Sequence, residues 1–312
     1  MVDNKQQWKA WLYLAPAIIL LLIFTVWPII NTVMMAFQNG YSAAGSMSGI
    51  TYELGIKNFQ KVLFEFKDFG KYLRNTMLMC VVTVPVSTFL ALLIAVALNS
   101  IKAFSRALQT IFFLPYVTNS IAIGMVFATM FNMIGSQMSG HTVVSADSYG
   151  IVNDVIRFFG GEAINWTNAG STEWNNMAVV MIYIVWNALP FKIMILLGGL
   201  QSVNRQYYDA AKVDGTPRSR VFSKITVPLL SPMIAYVVIT GFIGGFKEYS
   251  SIVGIFDEKM GPNDLNTIVG FIYKALDFNM EGVASAAALI LFGIILVVTL
   301  INLQVSKKKV HY

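Results

Sequence analysis

Long runs without a charged residue are the feature that most restricts the fold of this chain. They extend over residues 10–52, 75–101, 107–146, 225–246 and 282–306. A further apolar segment, 177–200, contains a single charge at Lys192. A helix of roughly 20 apolar residues spans the hydrocarbon core of a bilayer, because a helix pairs all its backbone groups internally. We therefore predict an all-α membrane protein with six transmembrane helices, near 11–37, 75–98, 108–134, 177–200, 225–250 and 284–305.

The composition argues against a soluble enzyme. Charged residues make up 12% of the 312 residues, against roughly 25% in soluble domains. Cys80 is the only cysteine, which excludes an intrachain disulfide and a cysteine-ligated zinc site. His141 and His311 are the only histidines, which argues against a catalytic or metal site built on several histidines. We expect a polytopic membrane protein with short loops, formed as one domain over residues 1–312.

The distribution of lysine and arginine predicts the orientation in the membrane. Cytoplasmic connections carry an excess of these two residues. By this rule the segments 1–10, 99–107, 201–224 and 305–312 are cytoplasmic, because their density of basic residues is the higher. We expect a multi-pass protein of the cell membrane with both termini in the cytoplasm. The net charge of +6 then reflects topology, and nothing in the sequence indicates nucleic-acid binding.

The predicted cytoplasmic loop 201–224 contains the most informative local pattern. It includes Gln206-Tyr207-Tyr208-Asp209-Ala210-Ala211-Lys212-Val213-Asp214-Gly215-Thr216-Pro217. Tyr208, Ala211 and Lys212 fall on one face of a predicted short helix, since residues three and four apart are neighbours. Gly215 suits the left-handed position that ends a helix. A compact helix and turn of this kind fits a groove on a partner protein, and an ordinary amphipathic loop is the alternative.

This stretch resembles the "EAA" loop of ABC importer permeases, in which a glycine and then an I-x-L-P segment follow the E-A-A triplet. Here Asp209-Ala210-Ala211 stands for E-A-A, Gly215 for the glycine, and Ile225-Thr226-Val227-Pro228 for I-x-L-P. The departures, Asp209 for Glu and Val227 for Leu, are conservative. The segments Phe112-Phe113-Leu114-Pro115-Tyr116-Val117 and Leu196-Leu197-Gly198-Gly199-Leu200-Gln201 also resemble the binding-protein-dependent sugar branch, in particular its maltose- and glycerol-phosphate-type first permeases.

The resemblance implies a type I ABC importer permease fold. It also implies that this chain is a transport subunit rather than an enzyme, with ATP hydrolysis left to partner subunits. In that family two permeases pair, two cytoplasmic ATPases dock on their EAA loops, and an extracytoplasmic solute-binding protein delivers the substrate. First-permease character implies a heterodimer with a second homologous permease. The sequence has no G-x-x-x-x-G-K-[ST] phosphate loop, so ATP and Mg are expected on the ATPases and no cofactor on this chain. The residues expected to couple the chain to an ATPase are Tyr208, Asp209, Ala210, Ala211, Asp214, Gly215 and Pro228.

A substrate path needs polar groups within the hydrocarbon core, where such groups usually face a cavity. Asn187 and Phe191 share one face of the predicted fourth helix, and a rise of about 1.5 Å per residue puts Lys192 near mid-membrane. By resemblance to the maltose-type permeases, matching stretches of helices four and five line a sugar pocket. The candidates are Ile184, Trp186, Asn187, Ala188, Phe191, Lys192, Gly241, Gly244, Gly245 and Glu248. Alternatively, the aromatic residues only pack against lipid or protein, and the glycines only permit close helix packing.

Lys192 and Glu248 are expected to pair across the interior of the protein. An unpaired charge there costs at least roughly 2.5–3.5 kcal/mol on insertion scales. The alternative is that Lys192 binds an anionic or hydroxyl-rich substrate directly. The expected function is import of a sugar or oligosaccharide, and the alternative substrates are glycerol phosphate or another polar solute. An ion-coupled secondary carrier is the third hypothesis, but it predicts inverted repeats or intramembrane acid clusters, and the sequence has neither.

Overall fold

The structure, a computed structural model, describes residues 7–101, 105–140, 142–257, 261–262 and 265–309. His141 and His311 lie outside these residues. The described chain is mainly helical. In chain order the helices are α1 (Gln7–Leu21), α2 (Trp27–Phe37), α3 (Ala43–Met47), α4 (Lys57–Gln60), α5 (Phe69–Ser100), α6 (Ser105–Val117), α7 (Ser120–Phe131), α8 (Gly150–Phe158), α9 (Glu173–Ser202), α10 (Gln206–Val213), α11 (Arg218–Val221), α12 (Val227–Leu229), α13 (Ser231–Gly245), α14 (Ser250–Phe256), α15 (Ile268–Asp277) and α16 (Glu281–Lys309).

Short π-helical turns and one hairpin complete the described elements. The π-helical turns cover Leu22–Val26, Lys61–Glu65 and Phe222–Thr226. Strands β1 (Gln137–Ser139) and β2 (Thr142–Ser145) pair antiparallel in the connection between α7 and α8. The all-α prediction did not include this hairpin, because each strand is too short to show an alternating pattern.

Four helical segments of the described chain are long and apolar enough to cross a bilayer. They are Trp8–Phe37, Phe69–Ser100, Glu173–Ser202 and Glu281–Lys307. They contain the predicted first, second, fourth and sixth helices. Two further pairs of helices meet the same criteria only as pairs, and counting each pair as one span brings the number to six.

The predicted third helix is interrupted. Its two parts, Ala107–Val117 and Ser120–Phe131, meet at an angle of 102°. Asn119 lies at the break, and its side-chain oxygen accepts hydrogen bonds from the N–H groups of Ile121 at 2.9 Å and Ala122 at 3.3 Å. This asparagine caps α7 and so satisfies backbone groups that the break would otherwise leave without a partner.

The predicted fifth helix is also interrupted, with a bend of 68° between Arg218–Leu229 and Ser231–Gly245. Pro232 lies in the first turn of α13, where it cannot donate the backbone hydrogen bond that would continue the helix from α12. The prediction that this helix extends to residue 250 is wrong, since α13 ends at Gly245 and the chain turns before α14.

The chain forms two compact units. Unit 1 comprises residues 1–69 and 271–291, and unit 2 comprises residues 70–270 and 292–312. In unit 1 the fully buried Asn58 holds the chain after α2. Its amide nitrogen donates to the carbonyl oxygens of Ala36 at 3.1 Å and Gln38 at 2.7 Å, and its oxygen accepts from the N–H of Gly40 at 3.0 Å. One buried amide thus replaces hydrogen bonds that end with the helix.

In unit 2, helices α7 and α14 cross at very close range. A Cβ atom placed on Gly124 would lie 2.8 Å from the Cα atom of Gly254. Glycines at both positions let the two backbones touch, which is a common way for membrane helices to associate. The contact fixes the second half of the bent third span against the rest of unit 2.

We predict that Gly124→Val destabilises the protein by about 1–3 kcal/mol, the usual cost of overpacking. The contacted atoms belong to backbone and cannot move aside as a side chain would. The free energy of unfolding, measured by SDS titration in detergent micelles, checks this. Gly293→Val is the matched control, because nothing lies within 4 Å of a Cβ atom at that helical glycine. Equal losses for the two variants would contradict the prediction.

Candidate functional site

Unit 2 contains a cavity of about 630 Å³ whose wall combines hydroxyl, amide, aromatic and charged side chains. It lies among α5, α6, α9 and α13, with further lining from the turns that follow α6 and α13. Almost all of the residues predicted for a substrate path line it. They are Ile184, Asn187, Ala188, Phe191, Lys192, Gly241, Gly244, Gly245 and Glu248.

Trp186 is the one predicted residue that does not line this cavity. Its ring instead packs 6.0 Å from the ring of Phe127 and 6.3 Å from that of Tyr183, measured between centroids. The cavity-lining residues of α9 recur every three to four positions and share one face. Trp186 lies off this face, so the alternative interpretation of Trp186 as a packing residue is the one that the geometry supports.

The ammonium group of Lys192 is buried and fully hydrogen bonded. Lys192 is only 4% exposed, and its Nζ donates to the carbonyl oxygen of Val84 at 3.2 Å, to Oγ of Ser87 at 2.7 Å and to Oγ1 of Thr88 at 3.0 Å. Both hydroxyl groups donate their own protons to carbonyl oxygens of the preceding turn of α5, which leaves their lone pairs for the lysine. An ammonium group has three donors, and α5 accepts from all of them.

The predicted ion pair between Lys192 and Glu248 is wrong, since no salt bridge joins these two described residues. Glu248 lies beyond the end of α13, and its Oε1 accepts hydrogen bonds from the N–H of Ser251 at 3.1 Å and from its hydroxyl at 2.7 Å. The prediction considered only helices four and five. In the structure α5 supplies the acceptors for the lysine, and the start of α14 supplies the donors for the glutamate.

An aromatic pair forms one side of the cavity. The rings of Tyr116, on α6, and Phe191, on α9, stack with centroids 5.8 Å apart and planes inclined by 21°. Sequence reasoning missed Tyr116 as a site residue, because α6 and α9 become neighbours only in the tertiary structure. The one signal in the sequence is Pro115, directly before it, in a stretch that resembles the sugar permeases.

Hydroxyl groups line much of the remaining wall, and sequence reasoning missed these as well. They belong to Thr83, Ser87, Thr118, Ser120 and Thr240. Such residues in apolar helices usually donate to the preceding turn, as Thr240 does to the carbonyl oxygen of Tyr236 at 2.7 Å. Their oxygen atoms still accept hydrogen bonds. With the amide of Asn187, they offer several partners to a ligand that carries many hydroxyl groups.

The three glycines of α13 serve two purposes. A Cβ atom on Gly241 would lie 3.1 Å from Cγ1 of Val84, and one on Gly245 would lie 2.9 Å from Sγ of Cys80. These two glycines therefore let α13 approach α5 closely. Gly244 has nothing within 4 Å of a Cβ atom, so its missing side chain leaves open space at the cavity wall.

The loop between α9 and α11 forms the predicted short helix, α10, and the predicted left-handed glycine is confirmed. Gly215 has φ of +63°. Its N–H donates to the carbonyl oxygen of Lys212 at 3.2 Å, and the N–H of Thr216 donates to that of Ala211 at 2.9 Å. These two bonds form a Schellman cap, in which glycine avoids the strain of a positive φ.

One face of α10 packs on the protein itself. Ala211 is 4% exposed, and the hydroxyl oxygen of Tyr208 lies 3.4 Å from that of the buried Thr226. These two of the predicted coupling residues therefore contribute to the packing of α10 on the protein itself. Pro228, another of them, lies half-buried in α12, just before the bend of the fifth span.

Much of the remaining surface of α10 is open to solvent. Tyr207 and Val213 are 55% and 87% exposed, and sequence reasoning did not single them out. The remaining predicted coupling residues, Asp209, Ala210, Asp214 and Gly215, are also exposed.

Comparisons with known proteins agree with these features. Residues 72–311 match the sequence model of the family described as binding-protein-dependent transport system inner membrane component. The chain is 29% identical over 298 residues to the lactose transport system permease protein LacF of Rhizobium radiobacter, covering 94% of this chain and 91% of that protein. It is 28% identical over 300 residues to the arabinooligosaccharides transport system permease protein AraP of Bacillus subtilis (strain 168), covering 95% of this chain and 88% of that protein.

The fold has a close counterpart among solved structures. A chain in the crystal structure of a bacterial alginate ABC transporter, in complex with an alginate pentasaccharide-bound periplasmic protein, superposes with a TM-score of 0.75. The match covers 98% of this chain and 96% of that one at 21% sequence identity. This similarity confirms the predicted type I permease fold.

We predict that Lys192→Met and Glu248→Gln change stability independently. Their effects on the free energy of unfolding should add within about 0.3–0.5 kcal/mol, as for residues without shared partners. Lys192→Met combined with Ser87→Ala is the matched comparison, and this pair should couple because Nζ donates directly to the serine oxygen. A double-mutant cycle by SDS titration measures both. Coupling between positions 192 and 248 as large as that between 192 and 87 would refute the assignment of partners.

Proposed function

Because the chain belongs to the family of inner-membrane components of binding-protein-dependent transport systems, we propose that it is the permease subunit of an ATP-driven importer of a sugar or oligosaccharide. The names of its relatives support a carbohydrate substrate, since they refer to lactose and to arabinooligosaccharides. The several apolar spans support a multi-pass location in the cell membrane.

The chemistry of the cavity carries the proposal. Its volume of about 630 Å³ falls within the usual range for small-molecule sites, roughly 300–1,000 Å³. The stacked rings of Tyr116 and Phe191 present an aromatic surface against which the C–H face of a sugar ring packs. The hydroxyl groups and the amide of Asn187 provide donors and acceptors for the hydroxyl groups of the sugar.

The charges of the cavity favour an uncharged sugar over an anionic solute. Lys192 has already used its three donors on α5, so it offers none to a phosphate or carboxylate. Glu248 accepts from Ser251 through Oε1, and within the described chain its other carboxylate oxygen accepts no hydrogen bond. This oxygen would accept a hydrogen bond from a hydroxyl group of a sugar, and its negative charge would repel an anion. The alternative substrate glycerol phosphate would need a lysine with free donors, so this alternative lacks support.

The remaining subunits of the importer are part of the same proposal. The family description itself implies a binding protein outside the membrane. A second homologous permease, forming a heterodimer with this chain, would complete the path, and two ATPases would hold ATP and Mg. We propose that the ATPase groove receives the exposed face of α10, with Tyr207 and Val213 as apolar contacts and Asp209, Ala210 and Asp214 around them. The orientation with both termini in the cytoplasm belongs to this proposal, since it directs α10 toward the ATPases.

Gly215→Val is expected to abolish uptake while the protein still inserts into the membrane. A β-branched residue strains the positive φ at this position, whereas the space around a Cβ atom there is open. Any loss would therefore come from backbone strain at the cap of α10. Gly215→Asn is the matched control and should retain most transport, since asparagine tolerates this conformation. Uptake by cells that carry the complete transporter, normalised to membrane content of the permease, is the measurement. Full uptake by the valine variant would remove the support for a coupling role of this loop.

Tyr116→Ala is expected to lower uptake of an uncharged oligosaccharide about two- to tenfold, the effect of losing roughly 0.5–1.5 kcal/mol of aromatic stacking. The panel tested should contain lactose, arabinooligosaccharides and anionic sugars, in cells with and without ATP depletion. Trp186→Phe is the control outside the cavity and should leave uptake unchanged. Uptake of anionic sugars alone, or uptake that does not depend on ATP, would overturn the proposed function.

A further inference from the structure

Helix α8, between α7 and α9, carries an exposed apolar ridge. Successive residues of a helix point about 100° apart, so Ile151, Val155 and Phe158 fall within an arc of about 60°. All three side chains are exposed. Phe159 follows the helix, and its ring packs edge-on against that of Phe158 at 5.4 Å between centroids. These two rings are 85% and 82% exposed, so the ridge projects away from unit 2.

A second side of α8 holds the helix in a fixed orientation. The fully buried Asn153 donates from Nδ2 to the carbonyl oxygen of Ile164 at 2.9 Å, and its Oδ1 accepts from the N–H of Ile164 at 3.0 Å. The same oxygen accepts from the indole nitrogen of Trp166 at 3.2 Å. Val152 packs against the hydrophobic cluster that contains Tyr183. The direction of the ridge is therefore set by buried contacts.

The third side of α8 is charged and exposed. It carries Asp154 and Arg157, and the guanidinium group lies 4.0 Å above the ring of Tyr149. Arg157 lies about 100° or more from every residue of the ridge, and Asp154 lies at the border of the ridge, about 40° from Phe158. The solvent-facing surface of α8 thus has an apolar side and a charged side. A surface helix of a protein in water turns its apolar stripe toward the core. A helix that lies in the plane of a membrane surface shows this additional division.

The start of α8 lies beside the end of α7, the second half of the third candidate span. A Cβ atom on Gly150 would lie 2.7 Å from the carbonyl oxygen of Asn132, the residue that follows α7. Ile134 and Ser148, on either side of the hairpin, form an isolated antiparallel bridge. This bridge brings the chain back from the hairpin to the end of α7. The helix therefore begins directly beside the end of a membrane span.

The start of α9 gives a second, independent marker of depth. Asn165 directly follows Ile164, the residue to which Asn153 of α8 is hydrogen bonded. The carbonyl oxygen of Asn165 accepts a hydrogen bond from Nδ2 of Asn175 at 2.8 Å, in the first turn of α9. Trp174 in that turn is exposed, and the neighbouring Glu173 forms ion pairs with Lys71 and Arg74. Exposed tryptophan and charged residues at the end of a span mark the headgroup region of a bilayer.

We propose that α8 is an interfacial helix whose apolar ridge inserts among the headgroups and upper acyl chains of the phospholipid bilayer. The bilayer surface supplies a boundary between apolar and aqueous phases at this depth, and that boundary matches the one that runs along α8. The apolar face of such a helix sits about 5–10 Å into the interface. Because α8 is fixed to the end of α7, lipid binding holds α7 at a constant depth, together with Ser120, which lines the cavity at the start of α7. This role does not depend on the identity of the substrate.

Spin labels on single cysteines test the proposal in the full chain, reconstituted in nanodiscs of phosphatidylcholine and phosphatidylglycerol. Cys80→Ala gives a cysteine-free background. The ridge is labelled at Val155→Cys or Phe158→Cys, and the matched control on the charged side of the same helix is Arg157→Cys. All three native side chains are exposed, so labelling leaves the buried side of α8 intact. Collision rates with oxygen, which concentrates in lipid, and with nickel–EDDA, which stays in water, are compared at each position.

We expect labels at positions 155 and 158 to collide with oxygen several-fold more, relative to nickel–EDDA, than the label at position 157. High nickel–EDDA collision at all three positions would mean that the ridge faces water and would overturn the proposal. Low collision with both reagents at 155 and 158 would mean that protein covers the ridge, which would also overturn it. A variant that loses monodispersity is replaced by Ile151→Cys, on the same ridge, and read by the same criteria.

Discussion

The positive charge of Lys192 has to be neutralised or solvated by the protein, since only 4% of this residue is exposed. The structure meets this requirement with three oxygen atoms of α5, one from the backbone and two from hydroxyl groups. These bonds require α5 and α9 to lie side by side at a fixed register. The close approach of α13 through Gly241 and Gly245 completes the same arrangement. Lys192, Val84, Ser87, Gly241 and Gly245 from these three helices all line the cavity.

The interrupted helices have a related origin. An uninterrupted helix satisfies its own backbone groups but presents only side chains to a cavity. The breaks at Asn119 and before Pro232 free backbone groups, which the asparagine side chain and the following turns bind again. As a result, α6 and α13 pack against α9, and the C-terminal end of each lies at the cavity. Tyr116 and Gly244 owe their position in the wall to these bends.

Two exposed helices show how the surface of such a protein divides its contacts. Both α10 and α8 are short, and each is fixed by a buried side: Ala211 in the first and Asn153 in the second. Each then displays apolar side chains that a helix in water would hide. On α10 the exposed Val213 lies two residues before the glycine cap at Gly215, in the loop proposed to meet an ATPase. On α8 they lie beside charges at the depth of the span ends, which suits a fixed position in the membrane surface.

The sequence by itself determined which segments span the membrane, the family to which the chain belongs and the backbone conformation of Gly215. Each of these depends on residues that are neighbours along the chain: uninterrupted apolar runs, a short motif, and a glycine at the end of a helical pattern. The face of α9 that lines the cavity was also predictable, because helical periodicity relates Asn187 to Phe191. Only the tertiary structure decided the partners of Lys192 and Glu248, the contribution of Tyr116, and which face of α10 is open. A charge or a ring takes its partner from whichever helix packs beside it, and that choice depends on residues far away in the sequence.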